Sequence, residues 1–420
     1  MNQLDQSMRT MKNQNILANY RHERMSKNKH CFIWLYCLAF VLPVNVFALG
    51  FRIPNQDAEA TARGNAYVAT ADNPSAIYYN SAGITHIKGL NVQFGGHAIS
   101  VNSHFESSSG AIEADTKSEL QLVPQIFCTY APEDSPFAFG LGIYVPFGLG
   151  LEWPDAVPFR DYALEGRLQY TTVNPVVAWQ ITPTLSIGVG PTINYGLVNL
   201  RQGFGGIPGS NFEFEGDGFA FGGKVGLLWQ PHPKWSLGLN YCSPTTVNFD
   251  GDSTAVPGAP NKTSTSAEMD FPQFIVGGIS FRPTTNWNVE VDIDWTDWDT
   301  LNTVTFENTA FGDVPLRLNW ESSFLYHLGI TRYLQNHYWV SAGYFFSENS
   351  TSQTDFTPVV PDTDLHVVSL GVGRKGEHWS WALSGQIITG PERNVDNGNA
   401  TDGTYQFSNQ AVNFSVAYRF

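Results

Sequence analysis

The sequence predicts an all-β fold, a 14-stranded antiparallel transmembrane β-barrel with an N-terminal hatch (plug) in its lumen. From Gly89 onward, fourteen segments alternate large apolar residues with small or polar ones, which is the period of a strand with two unlike faces. The connections between these segments are short and long in strict turn. Charged residues make up only 15% of the 420 residues and aromatic residues 14%, whereas soluble domains average roughly 25% charged residues.

The chain begins with a segment typical of a secretion signal. A basic stretch, residues 21–30, precedes an apolar stretch, residues 31–48, that ends in small residues, as a signal peptide does before its cleavage site. A membrane-anchoring helix is the alternative, and Pro43 together with the lack of a charged stop favours cleavage. We therefore assign residues 1–48 to a signal peptide, with Met25 as an alternative start.

The charge of the remaining chain excludes one class of partner. Residues 1–48 hold six basic and two acidic residues, so their removal leaves 17 basic and 36 acidic residues and a net charge of −19. Such a chain repels nucleic acid. Two distant cysteines remain, Cys128 and Cys242, which form neither a disulfide framework nor a metal site. We expect no metal and no cofactor.

The loop lengths indicate a bacterial outer-membrane barrel. Short turns of three to five residues, such as PHPK at 231–234, alternate with long loops such as 202–218 and 250–267, which are rich in Gly, Ser, Thr, Asn and Asp. Outer-membrane barrels have short periplasmic turns and long extracellular loops, whereas soluble sandwiches mix loop lengths at both ends. We therefore expect an integral, multi-pass protein of the outer membrane.

One strand carries three carboxylates on a single face. In residues 287–296, apolar residues alternate with a polar set that includes Glu290, Asp292 and Asp294. With so little charge elsewhere, this pattern favours a wet lumen and a lipid-facing exterior. Stacked carboxylates need compensation where water is scarce, and Arg63 is the first candidate for their partner.

The end of the chain predicts how the barrel closes. Aromatic residues gather beside the short turns, for example Trp179, Trp229 and Trp379, as in an interfacial girdle. Lipid does not tolerate an open sheet edge, so the last strand must pair with the first. Phe420 ends that closing strand and resembles the signal read by the barrel-assembly machinery, which we expect as a partner.

Residues 49–88 show no period of two and are expected to form the hatch. Asp72 or Asn73 can cap a short helix that Pro74 opens. Fourteen strands enclose a wide lumen, and about forty non-strand residues are enough to fill part of it; a periplasmic tail is the alternative. Residues 89–420 then form the barrel.

Several stretches resemble one family. The segment ARGNAYVATADNPSAIYYNSAGI at residues 62–84 resembles the N-terminal hatch of the FadL family, outer-membrane transporters for long-chain fatty acids and aromatic hydrocarbons. YVPFG, IDWTDW and VVPDTDLHVVSLGVG also resemble that family's barrel, and the similarity covers Leu49 to Phe420. One triplet departs from the family, which has Asn-Pro-Ala where this chain has Asn80, Ser81 and Ala82. Ser81 lacks the fixed φ of proline, so a hatch position that depends on that proline would differ in this chain.

Alternation along the strands predicts a group of lumen residues that could bind a ligand. They are Tyr144, Tyr170, Arg317, Leu325, Trp339 and Phe345. An apolar pocket with one cation suits an amphipathic carboxylate such as a fatty acid. Packing against the hatch is the alternative, and a β-bulge would reverse the assignment of any residue beyond it.

The resemblance implies passive uptake of hydrophobic small molecules, with sideways exit through a gap in the barrel wall at the third strand. In this chain that strand is residues 137–148, in which Gly140, Gly142 and Pro146 weaken ladder pairing. The partners would be a hydrophobic substrate, membrane lipid and lipopolysaccharide, and the protein would act as a monomer.

The alternative is a general diffusion porin or a structural barrel, and the hatch argues against a porin. An enzyme is not expected. The one G-x-G-x-x-G match, residues 371–376, runs from a strand into a short turn, where no helix follows to bind a phosphate.

Overall fold

The computed structural model describes residues 50–420. The expected signal peptide, residues 1–48, lies outside this range, so its boundary stays a prediction. No helix within residues 50–420 is long and apolar enough to span a bilayer.

Most of the described chain is β-structure in one continuous antiparallel sheet. Its strands are β1 Gly89–Val101, β2 Ser103–Ser107, β3 Glu113–Asp115, β4 Glu119–Ala131, β5 Phe137–Glu152, β6 Glu165–Thr182, β7 Leu185–Gln202, β8 Asn211–His232, β9 Trp235–Cys242, β10 Thr245–Val256, β11 Ala259–Phe271, β12 Phe274–Phe281, β13 Trp287–Thr296, β14 Thr303–Thr309, β15 Gly312–Arg317, β16 Ser323–Tyr333, β17 Tyr338–Ser347, β18 Leu365–Lys375, β19 Trp379–Thr389, β20 Arg393–Val395 and β21 Gly403–Arg419.

The sheet closes into a barrel of fourteen strands, which confirms the predicted fold. β1 pairs with β21 from Asn91 opposite Arg419 to Ser100 opposite Gln410, so the strand that ends at Phe420 does close the barrel. Four barrel strands are interrupted and each consists of two successive segments, namely β9–β10, β11–β12, β13–β14 and β15–β16. β2, β3 and β20 are short strands in the long loops.

The outer face of the barrel is apolar, as expected of a lipid-facing surface. Large side chains exposed on this face include Phe94, Leu141, Val189, Val291, Leu370 and Phe414. Aromatic side chains at the short-turn end are also exposed, including Trp179, Trp229, Trp379 and Phe420. Because aromatic rings favour the membrane–water interface, this ring of side chains marks the periplasmic boundary of the barrel.

Residues 50–88, called the hatch below, form three short helical elements. They are helix α1 (Ala58–Ala62), helix α2 (Ala76–Tyr79) and a 3₁₀ helix (Ser81–His86). Asp57 caps α1 by accepting the N–H groups of Glu59 and Ala60, each at 3.1 Å. Asn73 accepts the N–H of Ser75 at 2.9 Å, but Ser75 is the N-cap of α2 and no side chain caps this helix, so the predicted cap by Asp72 or Asn73 does not form.

Contacts on opposite sides of the barrel place the hatch in the lumen. Helix α1 contacts β17, β18, β19 and β21, whereas the 3₁₀ helix contacts β4 to β8. Glycines on the wall allow this close approach. A Cβ added at Gly343 would lie 2.0 Å from the Gly64 nitrogen, and one at Gly226 would lie 2.4 Å from the Asn80 side-chain oxygen.

We expect Gly343→Ala to displace the hatch while the barrel still inserts, because the added methyl group overlaps the Gly64 backbone. Overpacking of this kind costs about 1–3 kcal/mol. Swelling of liposomes that contain the variant should reveal passage of small sugars that the wild type excludes. Gly385→Ala is the matched control, since Gly385 faces outward with its nearest neighbouring atom 4.0 Å away. If the Gly343→Ala barrel excludes small sugars as well as the wild type does, the close packing of Gly343 against Gly64 is contradicted.

Candidate functional site

The carboxylate of Glu290 on β13 binds one turn of the hatch. One of its oxygens accepts the N–H groups of Ala69 at 2.7 Å and Thr70 at 3.2 Å. The other lies 3.1 Å from the Arg63 guanidinium and also accepts the Thr70 hydroxyl. Glu290 and Arg63 are both fully buried. Arg63, the cation predicted to pair with the three acids of β13, therefore contacts one of them, Glu290.

The other two acids of β13 bind the hatch differently. Asp292 accepts the N–H groups of Tyr67 at 2.7 Å and Val68 at 3.0 Å, so backbone donors compensate it. Asp294 forms an ion pair of 2.6 Å with Arg52, a residue that the sequence analysis did not select. Arg52 is one of only three Lys or Arg residues in 49–88, and a count of the hatch cations would have suggested it.

The triplet that departs from the family pattern ties the hatch to β8. The Asn80 side chain donates to the carbonyl oxygens of Val68 at 2.7 Å and Leu227 at 2.9 Å. Ser81 and Ala82 follow as the first residues of the 3₁₀ helix, and all three residues are fully buried. Asn80 thus joins two parts of the hatch to the wall without a proline at the next position.

An apolar cavity of about 70 Å³ lies at the long-loop end of the barrel. Its walls come from β5 to β8, β10, β11, β14, β15 and the loop before β18. Its large apolar lining residues include Phe51, Phe214, Phe306, Leu318, Trp320 and Val359. The sequence analysis missed this cavity. Phe212 and Phe214 have the same inward parity as Ala220, and this could have indicated an apolar surface inside the barrel.

Phe51, near the start of the hatch, separates this cavity from the space below. Its ring centroid lies 4.8 Å from that of Trp298 and 5.2 Å from that of Trp320. On the other side it lies 6.1 Å from Phe147 of β5. Gly50 adjoins this cluster and donates its N–H to Asp362 of the loop before β18 at 3.2 Å.

The residues predicted to bind a ligand do not line the apolar cavity. Tyr144 and Tyr170 line a second, smaller pocket beneath it. Leu325 and Phe345 are buried in the main apolar core. Trp339 packs with Ala58 and Ala62 of α1. For this residue the structure therefore agrees with the alternative to ligand binding, which was packing against the hatch.

The inward assignment of Arg317 is wrong. Arg317 is exposed, while its neighbours Leu316 and Leu318 line the cavity. The prediction carried alternation through residues 317–323 as one strand. The strand is in fact interrupted between β15 and β16, and Asn319 has a φ of +43°, so parity is not conserved across the break.

The barrel wall is incomplete between β4 and β5. These strands pair only from Ile126 opposite Ile143 to Tyr130 opposite Phe139, although β4 pairs with β1 along its whole length. β5 therefore leaves its β4 neighbour after Ile143, just before the β5–β6 register shifts between Tyr144 and Phe147.

The hatch occupies the edge of β5 that β4 leaves. The N–H of Ile53 donates to the Pro146 oxygen at 2.8 Å, and the N–H of Gly148 donates to the Phe51 oxygen at 2.7 Å. Proline has no N–H to contribute to a ladder, but its carbonyl still accepts this bond. Residues 51–53 therefore act as a short substitute strand beside the gap.

Gly140 and Gly142 do not line this gap, contrary to the prediction. Both are paired with β4 on one side and β6 on the other. A Cβ at either position would lie 2.8 Å or 2.9 Å from the side chain of Ile77. These glycines make room for the hatch, and of the three residues predicted for the opening only Pro146 lies at the break.

Comparison with known proteins agrees with this architecture. A sequence model of the outer membrane protein transport protein family (OMPP1/FadL/TodX) matches residues 39–381. The chain belongs to this family. Its transport function and outer-membrane location therefore apply to this protein, and the predicted membership of the FadL family is confirmed.

Individual relatives are distant but similar over most of their length. The chain is 24% identical to outer membrane protein P1 of Haemophilus influenzae, covering 76% of this chain and 81% of that one. It is 20% identical to the long-chain fatty acid transport protein of Escherichia coli, covering 79% and 84%. A Pseudomonas aeruginosa FadL homologue has a similar structure, with a TM-score of 0.78, 18% identity and coverage of 88% and 100%. The Pseudomonas putida toluene transporter TodX gives a TM-score of 0.70, 18% identity and coverage of 89% and 99%.

We expect Glu290→Gln to destabilise the hatch strongly, because it leaves the Arg63 cation buried without its counter-ion. Breaking one side of a buried pair costs about 3–5 kcal/mol. A double-mutant cycle with Arg63→Met, followed by urea unfolding in liposomes, should give a clear coupling energy. The same cycle between Arg63→Met and the exposed Glu377→Gln serves as the control. A coupling energy near zero in both cycles would show that the ion pair between Arg63 and Glu290 does not stabilise the hatch.

We also expect the fold around Asp362 to lose stability as pH rises, because the buried carboxyl group then becomes charged. Burial raises the pKa of Asp362 from 3.8 to about 6, against hydrogen bonding from the Ser350 N–H, which lowers it. The folded state then binds more protons than the unfolded state, so this stabilisation is complete below pH 3.8 and is lost as pH rises through 6. Urea unfolding at a series of pH values should show this slope. Asp362→Asn should flatten it and Asp364→Asn in the same loop should not, and an equal slope in all three proteins would refute the assignment.

Proposed function

We propose that this protein takes up hydrophobic small molecules, long-chain fatty acids or aromatic hydrocarbons, passively through the outer membrane and releases them through a lateral opening in the barrel wall. The observation that carries the proposal is the apolar cavity at the long-loop end, which is separated from the gap between β4 and β5 by the ring pair Phe51–Phe147. The protein acts without a cofactor and without covalent chemistry.

The chemistry of the path supports this proposal. A solute that leaves lipopolysaccharide meets cavity walls that are almost wholly apolar. From there, displacement of Phe51 and of the substitute strand at residues 51–53 connects the cavity with the gap. Apolar surface gains roughly 25 cal/mol per Å² on leaving water, so direct release into the bilayer is preferred to release into the periplasm.

The names of relatives agree with this class of substrate. The Escherichia coli relative is described as a long-chain fatty acid transport protein and the Pseudomonas putida neighbour as a toluene transporter. A general diffusion porin or a structural barrel is the competing function. The hatch argues against a porin, because its residues are nearly all buried and hydrogen-bonded to the wall on several sides.

A reversible disulfide across the gap tests the route. Arg52 lies opposite Phe147 in an isolated antiparallel bridge, and such non-hydrogen-bonded pairs have Cα atoms about 4.5 Å apart, within the range a disulfide spans. Arg52→Cys with Phe147→Cys, in a background in which Cys128 and Cys242 are Ser, should block uptake of a labelled fatty acid when oxidised. Reduction of the same protein should restore uptake.

The two single-cysteine variants are the controls, since oxidation should leave their uptake unchanged. Unaltered uptake by the oxidised double variant, with the disulfide verified by mass spectrometry, would reject movement of residues 51–53. Equal passage of small sugars and fatty acid through the wild type would instead favour a porin.

A further inference from the structure

Lys224 of β8 is a buried cation that faces the hatch. Its side chain is almost fully buried, and its ammonium donates to the carbonyl oxygen of Tyr78 in α2 at 2.5 Å. It also lies 4.6 Å from the centre of the Tyr78 ring and 5.5 Å from that of Tyr144. An ammonium has three protons to donate, and one carbonyl occupies only one of them.

The other cations between hatch and wall differ from Lys224 in having a carboxylate partner. Arg52 lies 2.6 Å from Asp294, and Arg63 lies 3.1 Å from Glu290. Lys375 contacts both Glu59 and Asp72 of the hatch at 2.8 Å and 2.9 Å. Within residues 50–420, no carboxylate lies within 4.0 Å of the Lys224 ammonium, and a buried cation without a counter-ion is costly. Lys224 is therefore the exception among these cations.

Lys224 lies on a small pocket whose free volume is about 20 Å³. The lining contains no carboxylate; besides aromatic rings it carries the Cys242 thiol and hydroxyl and amide groups from Thr172, Thr192, Asn194, Ser243 and Thr245. This volume suits a small polar group and is far too small for an alkyl chain. Such a pocket suits the polar head of a ligand whose apolar part lies elsewhere.

The position of the pocket says where that apolar part would lie. Pro146 and Phe147, at the break in β5, are among its lining residues. Phe147 also contacts Phe51, which lines the apolar cavity above. A carboxylate at Lys224 would thus hold its apolar tail against the ring pair, beside the gap in the wall.

We propose that Lys224 is the binding residue of a carboxylate subsite at the inner mouth of the gap, selecting amphipathic monocarboxylates over neutral hydrocarbons. This inference rests on the proposed function and specifies that the preferred substrate carries a negative charge. The carboxylate competes with the Tyr78 carbonyl for the ammonium. Its binding therefore loosens the contact between α2 and β8, and head-group recognition is coupled to the hatch.

The test compares Lys224→Met, which keeps most of the unbranched side chain and removes its charge, with Lys224→Arg, which keeps the charge. Binding of dodecanoate and of dodecanol to the purified barrel in a non-ionic detergent is measured for each. Hydrogen bonds to a charged group contribute about 1.5–3 kcal/mol, so Lys224→Met should weaken dodecanoate binding roughly 10- to 100-fold. Dodecanol binding should stay near that of wild type, and Lys224→Arg should keep most of the preference for dodecanoate.

Lys234→Met, at an exposed short turn, controls for a general loss of positive charge and should behave as wild type. Unchanged dodecanoate binding by Lys224→Met would overturn the subsite, as would an equal loss for both ligands. In either case, binding of dodecanol by the wild type would leave the proposed uptake function standing. A wild-type barrel that binds neither ligand would overturn the subsite, and one that also fails to bind toluene would overturn the proposed function.

Discussion

The hydrogen bonds and ion pairs between the hatch and the acids of β13 are the interactions on which the rest of the structure depends. The hatch has little regular secondary structure, so its buried backbone N–H groups need acceptors on the barrel wall. Glu290 and Asp292 together accept four such N–H groups, and Glu290 also neutralises Arg63. A buried charge is tolerated when it is paired and hydrogen-bonded, and here each side of the contact satisfies the other.

The wall is shaped to receive the hatch. Side chains are absent where the two approach most closely, as at Gly343 against Gly64 and at Gly140 and Gly142 against Ile77. Where the wall itself is incomplete, residues 51–53 supply backbone groups to β5. The hatch is thus at once the packing core of the barrel and part of its edge, which means that movement of its first residues alters both the cavity and the gap.

Two spaces of different chemistry lie on the two sides of the Phe51–Phe147 pair. The upper one is lined almost wholly by apolar side chains, and the lower one combines aromatic rings, hydroxyl groups and the Lys224 ammonium. An amphipathic molecule fits such an arrangement better than a purely apolar or a purely polar one, because each part of it meets its own kind of surface.

The sequence by itself determined the number of strands, the two ends of the barrel, the closing role of Phe420 and the inward direction of Glu290, Asp292 and Asp294. These features follow from a period of two along each strand and from loop lengths, both of which are local. The sequence also predicted the contact of Arg63 with Glu290, since carboxylates on an inward strand face need a cation as partner where few other charges are present.

Only the tertiary structure decided which parts of the chain meet. Phe51, Phe214 and Trp320 meet in one cavity through loops and strand ends that are far apart in the sequence, and alternation within a single strand does not indicate such a meeting. Parity failed at Arg317 because an interruption resets it. Gly140 and Gly142 were predicted to weaken strand pairing, but they make room for the side chain of Ile77. The sequence around a glycine does not show whether the missing side chain leaves a gap or accommodates a neighbour.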